Sequence, residues 1–132
     1  MRPDADGNLT HIFRTKEQQY SFNFPYQCGT GAELPYAADD FAHEIQDNDI
    51  IVMASDGVFD NLFDRDLEAC VKPEMKGSHF ADLQAAADCI ANKSEKLGNT
   101  RNYKSPFYMH AVEMGVRYPP QGKADDITVI CA

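Results

Sequence analysis

The sequence has few basic residues: 12 Lys and Arg stand against 21 Asp and Glu, for a formal net charge of −9 over 132 residues. Proteins that bind nucleic acids need basic patches, so this balance argues against a nucleic-acid partner. It also disfavours an anionic membrane surface. The chain has no apolar run of about 18 residues, the length that a membrane-spanning helix requires. The acidic first residues lack the apolar core of a secretory signal. We therefore expect an intracellular protein with no membrane partner.

The chain also lacks closely spaced cysteines. Its four cysteines are scattered, so a zinc site of standard spacing is not supported; they are Cys28, Cys70, Cys89 and Cys131. Scattered cysteines without a secretory signal are typical of reduced, partly buried thiols in an intracellular protein. The sequence therefore predicts four free thiols.

Internal repeats and low-complexity tracts are absent as well, and an apolar fraction of 43% is enough for a core. We expect one domain, residues 1–132. Alternation and apolar runs predict strands over residues 9–14, 17–24, 41–45, 50–54 and 127–131. Helical spacing and end signals predict helices over residues 63–71 and 80–97, and a third from Ser105. Strands, then helices, then a returning strand indicate an α+β fold.

Several local expectations follow from these patterns. Asp6-Gly7 predicts a tight turn before the first strand, residues 76–78 predict a loop, and Asp64 is expected to cap the helix over residues 63–71. Strand 41–45 and strand 50–54 are separated by a short polar turn, which favours a hairpin between them. Tyr20, Phe22 and Phe24 share one face of the strand over residues 17–24, so we expect them in the core.

The apolar run Ile50–Ala54 is typical of a strand covered on both faces, and Asp56-Gly57 ends it. By itself an Asp-Gly pair most often marks a turn, because glycine admits backbone angles that other residues resist. A carboxylate at the end of a rigid buried strand is also well placed to hold a cation. The stretch therefore has a structural and a functional interpretation.

A second acidic pair, Asp125-Asp126, precedes the last strand. If the two strands are antiparallel neighbours, Asp56 and this pair lie at the same edge of the sheet. Convergent carboxylates without cysteine or clustered histidine favour a hard cation, Mg²⁺ or Mn²⁺, over zinc.

These motifs resemble those of the metal-dependent protein phosphatases of type 2C. The resemblance is carried by residues 49–61, DIIVMASDGVFDN, and residues 123–130, KADDITVI. Residues 16–29, KEQQYSFNFPYQCG, and residues 105–111, SPFYMHA, are similar to the branch often found in mitochondria and plastids. The resemblance to this branch implies a mitochondrial location as one alternative.

The resemblance implies part of a four-layer αββα sandwich with mostly antiparallel sheets. It implies two Mn²⁺ or Mg²⁺ ions that activate a water to hydrolyse phosphoserine or phosphothreonine in a protein substrate. By the family pattern, Asp56 and Asp125 are metal ligands. Gly57, Asp60 and Asp126 are expected to support those ligands without binding the metal themselves.

The motifs that the family carries in its N-terminal half do not occur in this sequence. The resemblance therefore implies the C-terminal portion of the domain, with little activity alone. Half a sandwich leaves a sheet face uncovered, so we expect self-association or binding to the N-terminal half.

Two other functions stay open at this point. A non-catalytic pseudophosphatase or regulatory module would keep the fold without the chemistry. A hydrolase of the haloacid dehalogenase kind ranks last, because Ala54 stands where its nucleophilic aspartate is required.

Overall fold

The computed structural model describes residues 1–76 and 79–132. They form two compact units, one of Met1–Ile12 with Gln46–Ala132 and the other of Phe13–Ile45. The α+β class with antiparallel strand pairs is confirmed. The larger unit contains the strands β1 (Arg2–Pro3), β2 (Leu9–Thr10), β5 (Val52–Ala54), β6 (Met75–Lys76), β7 (His79–Phe80) and β8 (Val129–Cys131) and the helices α1 (Asp56–Phe59), α2 (Asp64–Val71), α3 (Leu83–Gly98) and α4 (Pro106–Glu113). The smaller unit contains β3 (Gln19–Ser21) and β4 (Phe24–Pro25).

The strands β5 and β8 form the antiparallel pair on which the acidic motifs depend. Val52 lies opposite Cys131, and Ala54 lies opposite Val129. Backbone hydrogen bonds continue the ladder beyond both strands, from Ser55 N–H to the Thr128 carbonyl at 3.1 Å and between Ile51 and Ala132. The predicted antiparallel neighbours are therefore confirmed.

The prediction that residues 50–54 are covered on both faces is wrong. Val52 and Ala54 on one face pack against the core. On the other face Ile51, Met53 and Ile130 are 44%, 61% and 53% exposed. Among the described residues, the helices cover the sheet from one side, so the apolar run is covered only at the alternate positions Ile50, Val52 and Ala54, with Ile50 1% exposed.

The core is built mainly by α1, α2 and α3 under this sheet. Apolar side chains from the three helices meet there, because each helix turns one apolar stripe inward; they include Val58, Leu67, Val71, Ala86 and Ile90. Leu62, between α1 and α2, joins them. Cys70 and Cys89 add a disulfide between α2 and α3. The prediction of four free thiols is therefore wrong. Their distance of 19 residues along the chain hid a pairing that the packing of two helices creates, with Cα atoms 5.5 Å apart. Cys28 and Cys131 are free.

The helix ends agree in part with the sequence. Ser105 caps α4, accepting a hydrogen bond from the Tyr108 N–H, and Pro106 is its first residue, as predicted. Helix α3 begins at Leu83 rather than at residue 80, because Asp82 accepts the Ala85 N–H and caps it. Asp64 is the first residue of α2 and not its cap. Asp66 accepts the Phe63 N–H instead, at 3.0 Å.

Four predictions of local chain form have different outcomes. The turn at Asp6-Gly7 joins β1 to β2, and Gly7 has the positive φ of 77° that favours glycine. Residues 17–24 form the hairpin β3–β4 rather than one strand, since Asn23 has φ 54° between the strands. Residues 41–45 form no strand, so the predicted hairpin with residues 50–54 is wrong. The loop expected at residues 76–78 lies in part outside the described residues.

The aromatic residues of the hairpin are not core residues. Tyr20 and Phe24 are 55% and 58% exposed, and Tyr20 stacks on Tyr26 with ring centroids 4.1 Å apart. Within the unit Phe13–Ile45, these rings therefore pack on one another at the surface.

Candidate metal centre

The end of β5 is tied to the segment before β8 by one serine. Ser55 Oγ donates to the Asp126 carbonyl at 2.8 Å and accepts the Thr128 N–H at 3.0 Å. Helix α1 starts at the next residue, Asp56. These bonds hold the start of α1 beside Asp125 and Asp126, as the antiparallel pairing predicts.

Position 57 needs a glycine because there is no space for a Cβ atom, and not because its backbone has a positive φ. Gly57 lies inside α1 and is not among the described glycines with positive φ. A Cβ atom at this position would lie 2.4 Å from the Asp126 carbonyl oxygen. The Asp-Gly pair therefore lets α1 approach the segment before β8 closely, and it is not the open turn that the sequence alone favoured.

Three carboxylates meet where these elements touch. Asp56, Asp60 and Asp125 each place an oxygen within 4.8 Å of the others. Asp56 and Asp60 lie one helical turn apart, with the Asp60 N–H bonded to the Asp56 carbonyl at 2.8 Å. The Asp60 side chain is 13% exposed and that of Asp56 is 63% exposed. We call these three residues the acidic cluster.

The predicted site residues separate into two groups. Asp56 and Asp125 lie together, and Asp60, expected only to support them, is a third member of the acidic cluster. Asp126 is outside it and contributes through its backbone. Its N–H donates to Asp125 Oδ1 at 3.0 Å, which orients that carboxylate.

Lys123 is a residue of the site that no motif in the sequence predicts, as are Ser55 and Asn61. Its Nζ lies 2.6 Å from Asp60 Oδ2, 2.9 Å from Asp125 Oδ2 and 3.3 Å from Asp56 Oδ2. Nζ also lies 5.0 Å from the centroid of the Phe107 ring. The ammonium therefore contacts all three carboxylates at once. Its only sequence signal is a basic residue two positions before Asp125.

The charges at this point shift the pKa values in opposite directions. Burial disfavours the charged form of Lys123, but hydrogen bonds to Asp60 and Asp125 outweigh it and raise the pKa above its usual value. The hydrogen bond from Lys123, with a smaller contribution from the Asp126 N–H, lowers the pKa of Asp125. Lys123 and Asp125 therefore each favour the charged form of the other.

Asn61 fixes the backbone that carries Lys123. Its side chain is 1% exposed and lies between α1 and residue 123. Nδ2 donates to the Gly57 carbonyl at 2.9 Å and to the Lys123 carbonyl at 2.7 Å, while Oδ1 accepts the Lys123 N–H at 2.8 Å. The Tyr103 hydroxyl donates to the Asn61 carbonyl. Hydrogen bonds through Asn61 therefore hold α1 and the backbone of Lys123 in place beside the acidic cluster.

The donor atoms of the acidic cluster are all carboxylate oxygens. Oxygen donors suit hard divalent cations such as Mg²⁺ and Mn²⁺. The residues present therefore fit a cation of this class. Such a cation would share the three carboxylates with the Lys123 ammonium.

No protein-family model matches the chain. Curated relatives do. The human protein phosphatase PTC7 homolog is 35% identical over 133 residues, covering 94% of this chain and 42% of its own length. The Xenopus laevis PTC7 homolog is 37% identical and is covered over 43% of its length. Probable protein phosphatase 2C 55 of Arabidopsis thaliana is 35% identical, over 90% of this chain and 25% of its own.

A solved structure agrees with these relatives. The photosystem II phosphatase PBCP superposes with a TM-score of 0.79 and 28% identity, covering 95% of this chain and 51% of that one. The chain spans less than half the length of the curated relatives above. On sequence and on fold together, over nearly all of its residues, the chain belongs to the type 2C protein phosphatase family.

Proposed function

We propose that the chain is the C-terminal portion of a metal-dependent protein serine/threonine phosphatase domain, with Asp56 and Asp125 as ligands to Mn²⁺ or Mg²⁺. The observation that supports this most is the convergence of Asp56, Asp60 and Asp125 within 4.8 Å. Like charges repel at this distance, so the three carboxylates need positive charge near them. Lys123 supplies one positive charge, and a divalent cation would supply the rest. Family membership gives the cation a chemical role.

The residues of the chain would do the positioning. Asp56 and Asp125 supply oxygens from two elements that Ser55 ties together. Asp126 orients Asp125 through its N–H. A bound divalent cation would lower the pKa of a water and neutralise charge on a phosphoryl group. Lys123 would stabilise the carboxylates that face away from that cation and keep an anionic phosphoprotein from being repelled.

The chain's length limits what it does alone. Its relatives are more than twice as long, so the complete domain has residues that this chain lacks. We infer low phosphatase activity for residues 1–132 alone, and that the phosphoserine or phosphothreonine substrate binds the complete domain. The exposed sheet face would bind the N-terminal half or a second copy. A mitochondrial location, implied by the resemblance to the organellar branch, is part of the same proposal.

A second function is favoured by one observation. Lys123 pairs with all three carboxylates and thus balances them without a metal. A non-catalytic module of the same family would need only this ion network. Metal binding separates the two functions.

The test is calorimetric titration of the chain with Mn²⁺. The unsubstituted chain should bind, and Asp56→Asn and Asp125→Asn should each weaken binding at least about tenfold, as loss of a charged ligand predicts. Asp88→Asn, which removes the same charge from the exposed surface of α3, is the matched control and should bind normally. If Mn²⁺ binds none of the proteins, the non-catalytic module is the better description. Manganese-dependent hydrolysis of p-nitrophenyl phosphate by the isolated chain would contradict the low activity.

A further inference from the structure

The disulfide between α2 and α3 joins two residues in different environments. Cys70 lies in the last turns of α2 and is 3% exposed, within the apolar core. Cys89 lies on α3 and is an exposed residue. A thiol from solution can therefore approach the bond from the Cys89 side, while the Cys70 side is covered by protein.

Other contacts hold the two helices together near the bond. Lys93 of α3 pairs with Asp66 of α2, with Nζ 2.8 Å from Oδ1. Leu67 and Val71 of α2 share the core with Ala86 and Ile90 of α3. These contacts do not depend on sulfur, so the helices should stay packed when the bond opens. Opening would instead remove a covalent constraint from the unfolded chain, which lowers stability.

Helix α3 also contacts Asn61, the residue that holds the backbone of Lys123. At the end of α3, a Cβ on Gly98 would lie 3.2 Å from Asn61 Nδ2, so the helix packs closely on the residue that holds Lys123. Helix α3, which carries Cys89, is therefore also part of the layer that supports the acidic cluster.

We propose that Cys89 is a thiol-exchange site and that the Cys70–Cys89 bond is a reversible redox tie. A low-molecular-weight thiolate, such as that of glutathione, attacks Cys89 Sγ. The Cys70–Cys89 bond breaks, a mixed disulfide forms on Cys89, and Cys70 leaves as a thiolate that takes up a proton. A second thiolate attacks the sulfur of the added group, which leaves as the oxidised small disulfide and releases Cys89 as a thiol. Two thiols are thus oxidised and one protein disulfide is reduced, and a small disulfide reverses both steps.

The experiment uses the full 132-residue chain, with thiols counted by alkylation and mass spectrometry. The air-oxidised protein, denatured before labelling, should show two free thiols, Cys28 and Cys131. After incubation with glutathione under native conditions and acid quenching, peptide mapping should find the mixed disulfide predominantly on Cys89. Full reduction should expose four thiols and lower Tm by roughly 10 °C, the shift expected for losing a cross-link of this loop length.

Two variants complete the design. Cys89→Ser changes an exposed position, so it should fold, and its Tm should equal that of the reduced protein and not respond to reductant. Cys28→Ser removes a free exposed thiol and should leave the Tm response intact. Four free thiols in the air-oxidised protein would overturn the proposal. So would a bond that glutathione opens only after denaturation, an adduct mainly on Cys70, or a Tm that reduction does not change. None of these measurements involves a metal or phosphatase activity, so they are independent of the proposed function.

Discussion

The side chain of Asn61 is hydrogen bonded to both backbone polar groups of Lys123. Its Oδ1 accepts the Lys123 N–H at 2.8 Å, and its Nδ2 donates to the Lys123 carbonyl at 2.7 Å. An amide side chain that bonds both groups of one residue acts like a neighbouring strand. This contact determines where the Lys123 ammonium lies among the carboxylates.

Asn61→Ala tests this contact. The substitution leaves the N–H and carbonyl of Lys123 and the Gly57 carbonyl without the partner that Asn61 supplies. Leaving such groups unpaired in a buried position should lower the free energy of unfolding by about 3 kcal/mol. Urea titration followed by circular dichroism measures it. Asn99→Ala, at an exposed helix end where the side chain bonds one carbonyl, is the control and should cost about 1 kcal/mol or less. Equal losses for both would contradict a special role for Asn61.

Gly122→Ala tests the packing of α3 on the segment that carries Lys123. A Cβ at this position would lie 2.0 Å from the Leu97 carbonyl oxygen and 2.6 Å from Gly98 Cα, both backbone atoms. We expect a loss of about 3 kcal/mol or more, since the backbone must move apart. Thermal unfolding is the measurement. Gly29→Ala has its nearest neighbour at 3.9 Å and should change stability by no more than about 0.5 kcal/mol. An unchanged Tm for Gly122→Ala would mean that the two segments are farther apart.

The pair Arg2–Asp49 predicts how stability depends on pH. Arg2 donates to both Asp49 oxygens, at 2.6 and 2.7 Å, and its hydrogen bonds hold the pKa of Asp49 well below its usual range. The folded state therefore binds fewer protons than the unfolded state as pH falls below about 4. The stability from this pair is fully present above that pH and is lost as pH falls toward the folded pKa. Urea midpoints measured from about pH 6 to about pH 2 should show this decline. Asp49→Asn should be less stable at neutral pH and should decline less on acidification. An equally steep decline would assign the acid sensitivity to other carboxylates.

Lys123→Met separates the charge of Lys123 from metal binding. Without the ammonium, Asp56, Asp60 and Asp125 lose the positive charge that they share. We expect a loss of about 2 kcal/mol in the presence of a chelator, because like charges then stand unbalanced. We also expect Mn²⁺ to raise the Tm of the variant by more than it raises that of the unsubstituted chain. Lys93→Met, which removes the pair with Asp66 on α2, is the control and should not change the response to Mn²⁺. A variant that is destabilised and gains nothing from Mn²⁺ would favour the non-catalytic module.

Met53 and Ile130 lie opposite each other in the register of β5 and β8, and both are more than half exposed. An apolar sheet face of this kind favours association. The double variant Met53→Thr/Ile130→Thr should fold with a change of no more than about 1 kcal/mol, because both side chains already face water. Sedimentation velocity should show the unsubstituted chain associating with rising concentration and the variant staying monomeric. Tyr36→Ser, at an exposed aromatic of the other unit, should associate like the unsubstituted chain. A monomeric unsubstituted chain at every concentration would leave the N-terminal half as the partner of this face.

Local sequence patterns predicted the elements that depend on nearby residues. The pair Ser105-Pro106 predicted the start of α4, and the apolar spacing of residues 80–97 predicted α3. Both predictions depend only on nearby residues, because capping and helical periodicity are local. The sequence also predicted that Asp56 and Asp125 lie close together. Antiparallel pairing of two apolar strands places the end of one beside the start of the other.

Other features depend on packing between distant segments. Residues 41–45 have a strand-like sequence but form no strand. The start of the central segment is instead bonded to distant parts of the chain, since β5 pairs with β8 and the Ile50 backbone bonds to Met1. The exposure of Met53 follows from which side of the sheet the helices cover.

The sequence by itself determined the α+β order, the family and the two aspartates at the strand ends, because each is written in contiguous residues. Only the tertiary structure decided the rest of the site. It added Asp60 to the acidic cluster, placed the Lys123 ammonium between its carboxylates and joined Cys70 to Cys89. Those relationships arise where α1, α3 and the segment before β8 pack together, and the spacing of residues along the chain does not contain them.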